Sequence, residues 1–121
     1  MSQGIYGLSN ALLDSPWPKI IEGKKYVTQL NGSNKEILIE DLFRFLSDQT
    51  VRDDHELPDT GVGLEKERML SPVFIKSPDY GTRSSTLILV TRKNHVKFIE
   101  RSYNPNSDFY SDVKYEFNII S

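Results

Sequence analysis

The chain has 121 residues, 37% of them hydrophobic, with 15 Lys and Arg against 17 Asp and Glu for a net charge of -2, and it contains no cysteine. That length suits one domain or part of one, and charge of both signs mixed along the chain argues against a nucleic-acid surface, which needs clustered Lys and Arg. Without cysteine there are no disulfides, no thiolate metal sites and no cysteine nucleophile within the chain.

The first residues, Met1-Ser2-Gln3-Gly4, lack the apolar stretch of a signal peptide, so the chain reads as cytosolic or as facing the cytosol on an organelle. Ile5 to Leu13 is an extended segment followed by a turn. Ser15-Pro16 then begins a helix, with Ser as cap and Pro at the first helical position, and Trp17, Ile20, Ile21, Val27 and Leu30 carry an approximate apolar stripe to Asn31. Asn31-Gly32 stops it. Ser33-Asn34-Lys35-Glu36 is a capping box that opens a second helix over 34–48, with Ile37, Leu38, Leu42, Phe45 and Leu46 on its buried face. Val51 to Glu67 is acidic, carries Pro58, Gly61 and Gly63, and shows no period, which predicts a long surface loop. A short strand is expected over 69–75, then a turn at Pro78-Asp79-Tyr80-Gly81.

Ser84 to Arg92 and Val96 to Tyr103 form a hairpin through Lys93-Asn94, where Asn tolerates positive φ. Asn104 to Asp112 reads as a polar loop, and Tyr115, Phe117 and Ile119 alternate with polar residues as a last strand at an edge. The longest apolar run, the four residues Leu87 to Val90, is too short to span a membrane. It does not alternate, so both faces of that strand need cover. Ile88 and Val90 share one face and Leu87 and Leu89 the other. Two helices cover one face only, and one of these faces is predicted to join Val73, Ile75, Phe98 or Ile99 in an exposed apolar patch. The fold class is therefore α+β, two helices on an antiparallel sheet.

Two stretches point further. Tyr6-Gly7-Leu8-Ser9-Asn10-Ala11-Leu12-Leu13-Asp14-Ser15-Pro16-Trp17 and Tyr80-Gly81-Thr82-Arg83-Ser84-Ser85-Thr86 each set Gly and small polar residues around one strong hydrogen-bonding side chain beside a core segment. Together with Glu100-Arg101-Ser102 and Tyr115-Glu116-Phe117, they resemble the C-terminal half of the transport and Golgi organisation protein 2 family, also called NRDE after an Asn-Arg-Asp-Glu motif absent here. The resemblance implies that residues 1–121 are the C-terminal part of one NRDE-type domain whose N-terminal half is the principal partner. It also implies a cytoplasmic protein working at Golgi, endoplasmic reticulum or mitochondria, with roles in Golgi organisation, secretion and lipid homeostasis and a lipid or haem ligand. No nucleic-acid partner, transmembrane segment, bound metal or resident cofactor is expected.

That family is similar to N-terminal-nucleophile hydrolases, which implies that the chain is half of an αββα sandwich. In such enzymes an N-terminal thiol attacks an amide, and an Asn side chain with backbone N–H groups meets the developing anion. The resemblance carries over to Ser9 and Asn10 as the Asn-bearing turn, and to Thr82, Arg83, Ser84 and Ser85 as the Ser-rich Arg segment of one pocket. The catalytic residue itself is not in this chain, so the alternative function, an amidase-like hydrolase, is inactive as this fragment. The bland reading has Asn10 bonding its own turn and Arg83 paired with a carboxylate such as Glu100.

Other signals are weaker. Leu57-Pro58-Asp59-Thr60-Gly61 spells a sortase signal but lacks the apolar span and basic tail that signal needs. Asn31-Gly32-Ser33 matches a glycosylation acceptor and reads more simply as a turn between helices. Asp53-Asp54-His55-Glu56 offers metal-ligand residue types, but a solvated acidic loop is the commoner outcome. Trp17, Phe43, Phe45 and Phe74 fit a lipid or haem pocket, although aromatics at helical spacing more often form core.

Overall fold

A computed structural model of the chain describes residues 2–9, 14–31 and 39–120. They form two compact units, Met1–Ser77 and Pro78–Ser121. In chain order the elements are α1 (Pro18–Asn31), α2 (Ile39–Leu46), a 3-10 turn (Asp54–Glu56), α3 (Leu64–Met69), β1 (Ser84–Val90), β2 (His95–Tyr103) and β3 (Tyr110–Asn118). The fold is α+β, as the residue pattern predicts.

In the first unit, α1 begins at Pro18 rather than Pro16. Trp17 precedes a proline and is pushed out of helical φ/ψ, so it caps from outside, its carbonyl accepting the N–H groups of Ile20 and Ile21. Helix α2 is pinned to α1 by the Tyr26 hydroxyl, which donates to the Asp41 carbonyl at 2.7 Å, and by Tyr26 stacked on Phe45 at 4.9 Å. The expected capping box at Ser33 and the expected contact of Leu38 lie outside the described residues. Leu42, Phe45 and Leu46 are half-buried, whereas the deepest side chain of α2 is Phe43, 1% exposed. Phe43 and Phe74 are therefore core, and the reading of these aromatics as pocket walls gives way to packing.

Two expectations fail in the 51–77 region. The acidic stretch is not structureless: Leu64–Met69 is helical, and its Glu67, 6% exposed, accepts from the Thr60 N–H at 2.8 Å and from its hydroxyl at 2.5 Å. Pro58 and the two glycines mask a run, Leu-Glu-Lys-Glu-Arg-Met, of strong helix formers. Nor is 69–75 a strand. Pro72 has no N–H to give a ladder. Phe74 instead donates its N–H to the Asp48 carbonyl at 2.8 Å, while the Ser71 hydroxyl accepts from Arg52 N–H and donates to the Arg68 carbonyl.

The second unit is a three-stranded sheet in the order β1-β2-β3, with both pairs antiparallel. Its first turn is closed by Thr91 N–H to the His95 carbonyl at 2.9 Å and Asn94 N–H to the Thr91 carbonyl at 3.0 Å. Asn94 takes the expected left-handed conformation, φ 61. The last strand starts at Tyr110, five residues before the alternation shows it. Every residue of β3 is exposed, and a strand wet on both sides carries polar residues at positions that a half-buried strand would fill with apolar ones.

The register sets Leu87 beside Ile99 and Lys114, and Ile88 beside Phe98 and Tyr115. The two faces follow from this by alternation. One, here called the Ile99 face, holds Ser85, Leu87, Leu89, Lys97, Ile99, Arg101, Asp112, Lys114 and Glu116. The other, the Tyr115 face, holds Ile88, Val90, Val96, Phe98, Val113, Tyr115 and Phe117.

Candidate functional site

The residues expected to share a pocket belong to two compact units, Ser9 to the first and Thr82, Arg83, Ser84 and Ser85 to the second. Asn10 lies outside the described residues, and Ser9 is half-buried in the first unit. Gly7 and Asp14, described residues on either side of that stretch, are tied to each other. Gly7 N–H donates to Asp14 Oδ1 at 2.7 Å, Asp14 N–H returns to the Gly7 carbonyl at 2.8 Å, and Lys24 Nζ sits 3.0 Å from Asp14 Oδ2. The Gly7 N–H, and after it Lys24, hold the Asp14 carboxyl below its ordinary pKa. Gly7 admits no side chain, because a Cβ there would overlap the Ile20 side chain of α1.

Thr82 and Arg83 lead into β1, and Ser84 and Ser85 are its first two residues. Tyr103 donates its N–H to the Arg83 carbonyl at 2.9 Å, which carries the ladder one step beyond the strand. Thr82 is half-buried, Arg83 and Ser84 are exposed, and Ser85 is buried. The expected Arg83–Glu100 pair is not among the ion pairs of the described residues. The register explains this: Glu100 stands opposite Thr86, on the Tyr115 face, whereas Ser85 stands opposite Arg101 on the other.

Arg101, rather than Arg83, is the organised arginine. It is 5% exposed, and its guanidinium donates to Asp112 through Nε at 2.9 Å and Nη2 at 3.0 Å, a bidentate geometry specific to arginine. Its Cζ lies 4.1 Å from the centroid of the Tyr110 ring, close enough for a cation–π contact, and Tyr110 meets Tyr103 edge-on at 6.3 Å. The hydrogen bonds from Arg101 hold the Asp112 carboxyl below its ordinary pKa. Beyond this cluster, Asn104 N–H donates to the Phe109 carbonyl at 3.0 Å and closes the β2–β3 turn. An open cavity of about 440 Å³ lies there, lined by Ser102, Tyr103, Asn104, Pro105, Phe109, Tyr110 and Ser111. Aromatic faces with hydroxyl and amide groups at the edge suit a small amphipathic group.

Sequence reasoning misses this cluster because it assigns 104–112 to a loop, which takes Asp112 and Tyr110 out of the ladder. Arg101 and Asp112 flank a turn-rich stretch at offsets that pair across a hairpin, and that is the signal that finds them. The acidic run at 53–56 is tied up internally: Arg68 grips Asp54 at 2.8 and 2.6 Å, and Glu56 accepts from Asp53 N–H. Among the described residues there is no group of three or more potential metal ligands, and no helix is long and apolar enough to cross a membrane.

The described residues thus define an α+β protein whose C-terminal sheet offers contact surfaces, an aromatic hairpin end and an apolar face. The sequence model of Transport and Golgi organisation 2 matches residues 1–105. The chain is 35% identical over 133 aligned residues to the human Transport and Golgi organization protein 2 homolog, with all of this chain and 47% of the human one covered. It is 36% identical over 109 residues to the bovine homolog, with 84% of this chain and 40% of that one covered. The mouse homolog is 32% identical over 133 residues, with 100% and 47% covered. The chain belongs to the Transport and Golgi organisation 2 family, and it spans about half the length of these curated relatives.

Proposed function

We propose that this chain is the C-terminal half of a domain that serves transport and Golgi organisation, working at the cytosolic side of the Golgi, endoplasmic reticulum or mitochondria and contributing to secretion and to lipid homeostasis. The observation that carries this reading is the alignment of the whole chain with the human relative at 35% identity. A lipid or haem ligand belongs to the same proposal. Its support is chemical: an amphipathic group suits the aromatic and hydroxyl lining at the β2–β3 turn. The amidase-like alternative needs a nucleophile from sequence outside this chain, which has no cysteine.

The test is a chimera in which this chain replaces the matching segment of the human relative, expressed in cells depleted of that relative. Restored Golgi morphology and cargo secretion are the expected result. A stably expressed chimera that restores neither overturns the reading, and turnover of acyl amides by the chimera would favour the alternative.

A further inference from the structure

On the Tyr115 face Val96 is buried, 5% exposed, but the apolar residues around it are not. Ile88 is 61% exposed, Val90 56%, Val113 48%, Tyr115 59% and Phe117 52%. Half-buried Phe98 lies at their centre, its ring 6.3 Å from that of Tyr115. These six side chains come from all three strands and occupy adjacent register positions, so the patch runs across the full width of the sheet. Soluble monomers rarely leave a contiguous apolar patch larger than roughly a few hundred Å², and a sheet face of this composition ordinarily lies about 10 Å from a second apolar layer.

The chemistry of the face narrows what covers it. Its one charged residue, Glu100, stands toward the end occupied by Ser84, Thr86, Ser102 and Ser111, and the half near the β1–β2 turn has no charge. It carries no Lys or Arg to attract an anionic membrane or a nucleic acid, and no ring of donors for a polar ligand. The occupant must itself be apolar and uncharged at the contact. The family supplies a source, because relatives carry the matched segment within chains about twice as long. A surface in the same polypeptide acts at an effective concentration that a second molecule reaches only when abundant.

We infer that the Tyr115 face is an intramolecular interface: in a full-length family member it is covered by an uncharged apolar layer contributed by the half of the sequence outside this segment. This rests on the half-domain reading above but not on the Golgi role. It makes Val113, Tyr115 and Phe117 interface residues, and the opposite side of the same strand, at Lys114, solvent-facing.

The absence of cysteine makes the test direct, since an introduced thiol is unique within this segment. Val113→Cys, Phe117→Cys and, as the opposite-face control, Lys114→Cys are placed in the 121-residue chain and in the chimera. Alkylation at each site is followed by peptide-level mass spectrometry. The expected result is labelling of all three at similar rates in the isolated chain, and slowing of Val113→Cys and Phe117→Cys by about tenfold or more in the chimera with Lys114→Cys unchanged. Equal rates in the two proteins overturn the inference. So does slowing at all three sites alike, which is general shielding. Protection of the isolated chain that grows with concentration while the chimera stays labelled assigns the face to a second copy, and also overturns it. A chimera that rescues Golgi morphology yet labels freely sinks this inference alone. One that is protected yet fails to rescue sinks the functional reading alone.

Discussion

The two faces of the β1–β2–β3 sheet are built from alternate residues of the same strands, and they handle charge and apolar surface in opposite ways. The Ile99 face carries Lys97, Arg101, Asp112, Lys114 and Glu116, and pairs most of them across the β2–β3 ladder: Lys97 with Glu116 at 3.3 Å and Arg101 with Asp112 at 2.9 Å. Its apolar residues lie toward β1 and β2, where Ile99 is only 2% exposed. The Tyr115 face has one charge, Glu100, no ion pair among the described residues, and large apolar groups left in water out to β3. A face that pairs its charges at the rim and buries its centre is finished. A face that exposes Val, Tyr and Phe on its outer strand is waiting for a layer, because the apolar area there contributes nothing until water is removed from it.

The largest test of this contrast is Ile99→Ala against Ile88→Ala. Ile99→Ala should cost about 2–5 kcal/mol in urea unfolding monitored by circular dichroism, whereas Ile88→Ala should stay within about 0.5 kcal/mol. Equal costs would mean that the faces are not distinct. Asp112→Ala comes next. It removes the bidentate acceptor of the buried Arg101 guanidinium, for an expected loss of about 1–3 kcal/mol, reduced from the fully buried case because Asp112 itself stands at the exposed rim, with 21% of its side chain accessible.

Acid sharpens the same point. Asp112 has a folded pKa below its unfolded one because of Arg101, so its stabilising contribution is present above the ordinary carboxylate range and is lost as pH falls toward the lowered folded value. Asp112→Asn should therefore flatten part of the acid limb of the unfolding curve, measured by the difference between the two proteins from pH 6 down to the low end of the carboxylate range (about pH 2–5). Asp14, Asp48 and Asp54 are lowered by their own hydrogen bonds in the first unit, so the limb should be reduced rather than abolished. A smaller effect belongs to Lys97→Met. That exposed pair, 39% and 54% accessible, should be worth about 0–1 kcal/mol. Finally, Tyr115→Lys should leave stability nearly unchanged while it reduces binding of a hydrophobic dye by the isolated chain. Unchanged dye binding would show that the exposed patch lies elsewhere.

What the residues fix by themselves is local. Ser15-Pro16 and the apolar spacing place the first helix within two residues, Lys93-Asn94 places the β1–β2 turn, and the unbroken Leu87–Val90 run announces a strand with two apolar sides. These are decided by φ/ψ restriction and by side-chain period, which act within a few residues. The quoted Gly- and Ser-bearing stretches also carry the family. Register and partnership were decided elsewhere. Nothing near Arg101 in the chain selects Asp112 over Glu100 as its partner; strand pairing does, because a shift of one residue moves every side chain to the other face. Phe43 rather than Leu42 is the buried core of α2, since depth depends on which neighbours close over a helix and not on its period alone. Helix α3 and the first half of β3 were hidden for the same reason. Their residues are polar, and only contacts such as Glu67 with Thr60 and Arg101 with Asp112, made across seven and eleven residues of chain, show that polar side chains there are structural.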